Sequence, residues 1–141
     1  MTIHQNLIRR MIELARARAP REACGVLWFN ANGEAVGLVE AANVSPTPEA
    51  TFAMDPVSVS LLTFLKRDLA LWHSHPKSRA VPSLEDGMLM RQTGLPMVII
   101  SLKGQVPDVR GYRLDDHERW VQVFRALQTD QTVLGRDGLT V

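Results

Sequence analysis

The chain has a single cysteine, Cys24, among 141 residues. An intrachain disulfide is excluded, and so is a zinc site built from several thiolates. An excess of one charge is missing too: 16 Lys and Arg stand against 15 Asp and Glu, for a net charge of +1. No basic stripe or acidic tail interrupts the balance, so charge gives no reason to expect nucleic acid or a membrane surface as a partner. No stretch approaches the ~18 consecutive apolar residues of a membrane span. The opening MTIHQNLIRRMIELARARAP sets arginines inside its apolar pattern and does not read as a signal peptide. Repeats and low-complexity tracts are absent. These absences leave a cytoplasmic protein as the expectation.

What is present suits one globular domain over 1–141, with 45% hydrophobic and 22% charged residues. Ile3, Leu7, Met11, Leu14 and Ala15 recur at helical spacing with Arg9, Arg10, Arg16 and Arg18 opposite, an amphipathic helix stopped by Pro20. Ala23 to Asn30 reads as a strand, Asn32-Gly33 as a hairpin turn, and Ala35 to Val44 as the return strand. Thr51 to Met54 is a candidate short strand. Asp55 and Pro56 open a second helix, with Val57, Leu61, Leu62, Phe64 and Leu65 as its apolar face. Leu69 to Trp72 is an apolar strand that delivers His73 and His75. Ser83, with Asp86 three residues on, caps a third helix that Gly94 and Pro96 stop after Thr93. Met97 to Leu102 is a buried strand, and Val109 to Leu114 another. Trp120, Val121, Val123, Phe124 and Leu127 fit a helix somewhat better than a strand, and the last dozen residues read as a loosely held end. The fold class expected is α/β: a mixed β-sheet flanked by helices.

The chemistry gathers around His73-Ser74-His75. Alternate residues of a strand share a face, so both imidazoles can reach one point in space. Asp86 sits just across the loop, near the start of the next helix. Two histidines and a carboxylate are a common zinc set that leaves a fourth position for water. A metallohydrolase also needs a general base that is not a ligand, and Glu22, at the mouth of the first strand, is the candidate. Each feature alone has a plainer reading: ordinary strand residues, a helix cap, a surface glutamate. The combination fixes spacing, order and context at once.

His73, His75, Pro76, Pro82, Ser83 and Asp86 match H-x-H-P-x-x-x-x-x-P-S-x-x-D, and the chain resembles the JAMM (MPN+) metalloprotease family through this motif. Glu22, in EACGVL, matches the family's upstream glutamate. Asn43 to Pro56 and Gly94 to Leu102 resemble segments of its small bacterial and phage tail-assembly members, and the likeness runs over about 21–114. The resemblance implies a cytidine-deaminase-like JAMM/MPN fold. It implies Zn²⁺ held by His73, His75 and Asp86, with Glu22 shuttling the proton and Ser83 helping to bind the oxyanion while also capping its helix. It implies a zinc metallopeptidase or isopeptidase acting on a protein: a ubiquitin-like or sulfur-carrier protein with a Gly-Gly tail, or a phage tail component. No insert of the kind that eukaryotic deubiquitinases use to grip ubiquitin is visible. The alternative is a non-catalytic MPN-type scaffold that binds partners, although such scaffolds lack the ligand set.

Other residues receive plainer readings. Cys24 reads as a small buried residue, a fourth ligand or a nucleophile being its other possible roles. Ser74 should face away from the ligands. His4 and His117 read as surface residues. Trp28, Trp72 and Trp120 read as core, with Trp72 also placed to line a substrate groove.

Overall fold

In the computed structural model, residues 1–65, 68–129, 132–136 and 139–140 are described. The elements run β1 (Ile3–His4), α1 (Gln5–Arg18), β2 (Cys24–Phe29), β3 (Ala35–Ala41), α2 (Pro56–Leu65), β4 (Asp68–His75), α3 (Leu84–Thr93), β5 (Met97–Ser101), β6 (Asp108–Leu114), β7 (Trp120–Thr129), β8 (Thr132–Arg136) and β9 (Leu139–Thr140). Seven strands form one sheet in the order β3-β2-β4-β5-β6-β7-β8. Only β4 and β5 run parallel in it, joined by the crossover through α3, so the sheet is mixed.

The central strands are buried on both faces, as strands covered by helices must be. All five residues of β5 are buried. Val98 and Ile100 point to the face covered by α1, where they meet Ile8, Met11 and Ile12. Met97 and Ile99 point to the other face, where they meet Met90 of α3. The same alternation runs along β4. Ala70 and Trp72 belong to the α1 side, Leu71 to the α3 side. By parity His73 and His75 fall on the α3 side and Ser74 on the α1 side.

Two glycines serve this arrangement. Gly25 lies opposite Trp72 in register, and a Cβ there would come within 2.0 Å of the Val39 carbonyl oxygen and 2.7 Å of the Trp72 indole nitrogen. The bare backbone lets Trp72 bury completely and donate its Nε1 proton to Val39. Gly94 ends α3 in the left-handed conformation, at φ 69°.

Several expectations change. Trp120 to Leu127 is the strand β7, not a helix. The reason is a bulge opposite Gly111/Tyr112. Gln122 pairs with Tyr112 and Phe124 with Gly111, so Val123 is an extra residue and the period-two pattern breaks there. The end of the chain is also paired in the described residues: β8 joins β7, and β9 lies parallel to β1. Thr51–Met54 is no strand, since its pairing is the single bridge between Asn43 and Met54. Asp55 does cap α2, accepting from the Ser58 amide. Val57 and Phe64, however, face solvent, at 69% and 81% exposure. The side chains of Leu61, Leu62 and Leu65 lie outside the described residues. Trp120 is 42% exposed rather than core. Trp28 is half-buried and Trp72 fully buried. His4 is half-buried beside Glu34, and His117 is exposed.

Candidate metal centre

β4 ends by presenting His73 and His75 on the face that α3 covers, and the first turn of α3 brings Asp86 to meet them. All three side chains are buried, and Glu22 with them. His73 Nε2, His75 Nε2 and Asp86 Oδ2 lie 3.1 Å from one another in each pairing. A tetrahedral ion with ~2.0–2.1 Å bonds would set its ligand atoms roughly 3.3 Å apart. Two imidazole nitrogens and a carboxylate oxygen at this separation fit a divalent cation such as zinc.

The surroundings hold each donor. His75 Nδ1 lies 2.8 Å from the Arg79 carbonyl oxygen, which can only accept, so Nδ1 carries the proton. A neutral ring then has its lone pair on Nε2, the atom in the cluster. Asp86 Oδ2 also accepts from the Ser83 amide at 2.9 Å, while Ser83 Oγ accepts from the Asp86 amide at 3.1 Å. This capping box holds the carboxylate at the site. Phe52 stacks on the His73 ring with centroids 4.4 Å apart. His73 Nδ1 is buried with no hydrogen-bond partner among the described residues.

The electrostatics follow from burial and crowding. Burial alone would raise the Asp86 carboxyl, but the adjoining imidazoles and the Ser83 amide outweigh it and hold the group well below the usual carboxylate range. Burial lowers His73 despite Asp86. Burial would lower His75 too, yet its hydrogen bonds to Asp86 and Arg79 and the nearby carboxylates raise it. Glu22 is pushed up to about 7, chiefly by burial, with His75 opposing and Asp86 and Glu85 adding. A carboxyl so poised can exchange a proton near neutral pH.

Glu22 has a carboxylate oxygen within 4.8 Å of ring nitrogens of both His73 and His75. The structure thus brings together Glu22, His73, His75 and Asp86, with Ser83 exposed at their edge. Cys24 faces the same side, in register opposite His73, but lies outside this grouping. It is fully buried, its Sγ is 3.6 Å from the Ala41 carbonyl oxygen, and burial pushes its thiol up to about 12. It is a buried thiol rather than an activated one. Ser74 points away, accepting from the Ala23 amide at 2.8 Å. A hollow of about 230 Å³ beside the cluster is lined by Thr51, Phe52, Ser83, Asp86, Met88 and Gln92, among others.

Three contributors escaped the motif reading. The Arg79 carbonyl is backbone and carries no sequence signal. Phe52 sits in an irregular loop. Asn43 secures that loop, its Nδ2 donating to the carbonyls of Glu22 and Thr51 and its Oδ1 accepting from the Ser45 and Ala53 amides. The likeness of Asn43 to Pro56 to the family marked the segment but assigned no role to Asn43 or Phe52.

The family profile described as prokaryotic homologs of the JAB domain matches residues 4–115. A curated relative from Thermus thermophilus, a "probable TtuB-protein conjugate cleaving protease", is 36% identical over 87 residues, covering 55% of this chain and 57% of that protein. The match thus spans little more than half of that relative's length. A solution structure of a Desulfitobacterium hafniense protein superposes with a TM-score of 0.71 at 28% identity, over 86% of this chain and 88% of the other. A JAB1/MPN domain protein from Archaeoglobus fulgidus gives 0.56 at 19% identity, over 86% and 94%. A structure reported as a JAMM metalloprotease-like zinc site in the proteasome and signalosome gives 0.54 at 20%, over 86% and 92%. The mixed sheet with flanking helices is the fold of these neighbours.

Proposed function

The chain belongs to the family of prokaryotic homologs of the JAB domain, and from that premise we propose that it is a zinc-dependent peptidase or isopeptidase. The bond it cuts follows the C-terminal glycine of a ubiquitin-like or sulfur-carrier protein. The observation that carries the reading is the 3.1 Å convergence of His73, His75 and Asp86 with Glu22 buried alongside. His73, His75 and Asp86 would hold Zn²⁺, which would supply a Lewis acid for the scissile carbonyl and lower the pKa of water toward about 7.

The remaining work belongs to the chain. Glu22 accepts the proton of the attacking water and later delivers it to the leaving amine. Its raised pKa favours both halves, because a carboxylate that ordinarily titrates near 4 would hold the proton too weakly. Ser83 Oγ accepts from the Asp86 amide, which leaves its hydroxyl proton free to be donated to the oxyanion of the tetrahedral adduct. Ser83 is therefore both cap and donor. The hollow between the Phe52 loop and α3 takes an extended peptide and leads it to Asp86 and Ser83. The Thermus relative, named for cleaving conjugates, supports a conjugated protein as substrate. A phage tail protein is the other substrate that the resemblance admits.

Two measurements test this together: metal content of the purified chain, and cleavage of a Gly-Gly isopeptide-linked reporter with and without chelator. Stoichiometric zinc and chelator-sensitive cleavage are expected. A metal-free chain that takes up no added zinc would leave a partner-binding scaffold as the better reading.

A further inference from the structure

Three consecutive backbone carbonyls in the loop between β4 and α3 each accept a hydrogen bond from a different strand of the sheet. Ser78 accepts from Ser101 Oγ of β5 at 2.6 Å. Arg79 accepts from the His75 ring of β4 at 2.8 Å. Ala80 accepts from the Tyr112 hydroxyl of β6. All three donors lie on the α3 face: Ser101 is the parallel partner of His75, and Tyr112 pairs with Met97. Ser101, Tyr112 and Ala80 are buried, so water cannot readily substitute for these bonds. Tyr112 is itself wedged edge-on against Trp120.

The outer two bonds fix the loop on either side of Arg79, and the Arg79 carbonyl is what orients the His75 ring. We propose that Tyr112 and Ser101 are positioning residues of the metal centre, clamping the Ser78–Ala80 backbone so that the Arg79 carbonyl accepts the hydrogen bond from His75 Nδ1–H and Nε2 is left to ligate. The proposal rests on the zinc reading above. It reaches farther, since neither residue belongs to the metal motif and neither touches the ligand atoms. Outer partners of a ligating histidine set its tautomer and aim, and their loss weakens metal binding roughly 10- to 100-fold.

The test uses Tyr112→Phe and Ser101→Ala, with Ile8→Ala as control. Ile8 is buried in the cluster on the opposite face of the sheet, so its truncation lowers stability without touching the loop. Zinc affinity is measured by chelator competition. The exchange rate of the His75 Nδ1 proton is measured in the metal-free protein by ¹⁵N NMR. Weaker zinc binding by about tenfold or more, with faster Nδ1 proton exchange, is expected in Tyr112→Phe and Ser101→Ala. Ile8→Ala should lower the melting temperature and move neither readout. Should Tyr112→Phe fail to fold, Ser101→Ala alone decides. Wild-type exchange and affinity in both variants would overturn the proposal, as would equal changes in Ile8→Ala. A wild-type chain that binds no zinc would defeat the metal reading, and Nδ1 exchange would still decide whether the clamp orients His75.

Discussion

His75 Nδ1 lies 2.8 Å from the carbonyl oxygen of Arg79, four residues on. The bond sets which nitrogen of the ring is protonated, and so which nitrogen faces His73 and Asp86. A side chain that the motif marks is thus aimed by a backbone atom that the motif does not mark.

His75→Ala and Asp86→Ala should each lose stoichiometric zinc. The first removes one of three donor atoms; the second removes another together with half of the α3 capping box. Elemental analysis checks the content. A thermal melt adds a second readout, because a metal that binds only the folded state raises its stability. Chelator should lower the wild-type melting temperature and leave that of His75→Ala unchanged. Full zinc in either variant would show the ligand assignment to be wrong.

Glu22→Gln should retain zinc and lose activity by about 10²- to 10⁴-fold, the usual worth of a positioned general base. Glu22 stands within ligand reach of both histidines by distance alone, so the prediction separates two roles. A variant that lost its metal as well as its activity would make Glu22 a ligand.

Cys24→Ala should keep both zinc and turnover. Its thiol is pushed up to about 12 by burial and stays protonated at neutral pH, which suits neither a ligand nor a nucleophile. The expected cost is stability alone, about 1 kcal/mol, as for an ordinary core truncation. The native thiol should also resist an aromatic disulfide reagent until denaturant is added. Prompt reaction in the native state would contradict its burial.

Acid should weaken the start of α2. Asp55 is held below its ordinary value, first by the Ser58 hydroxyl and then by backbone amides. A carboxylate whose folded pKa is depressed stabilises the fold above its unfolded pKa, and loses that contribution as pH falls through the folded value. The wild type should therefore melt higher than Asp55→Ala near neutrality, and the gap should close below about pH 4. A gap that stays constant down to about pH 2 would mean that the charge of Asp55 does not act at this cap.

Much of the fold was legible because period and punctuation agree. The arginine-faced helix α1, the β2–β3 hairpin at Asn32-Gly33, and α3 between Ser83 and Gly94 all lie close to where local chemistry places them. At β7 the reading failed because tertiary pairing overrode the local pattern. The bulge opposite Gly111/Tyr112 disguised β7 by shifting its alternation by one residue. Val57 and Phe64 follow a helical pattern, yet no described neighbour buries them.

The sequence by itself determined which groups could converge: two histidines two apart at a strand end, an aspartate inside a capping box, and a glutamate before the neighbouring strand. Spacing of that kind is local, and side-chain parity on a strand converts it directly into a shared face. Only the tertiary structure decided how the donors are aimed. Register between β4 and β5 sets Ser101 beside His75, and pairing of β5 with β6 brings Tyr112 to the Ala80 carbonyl. Long-range strand pairing places these groups, and the hydrogen bonds they make end on backbone oxygens that every residue type possesses.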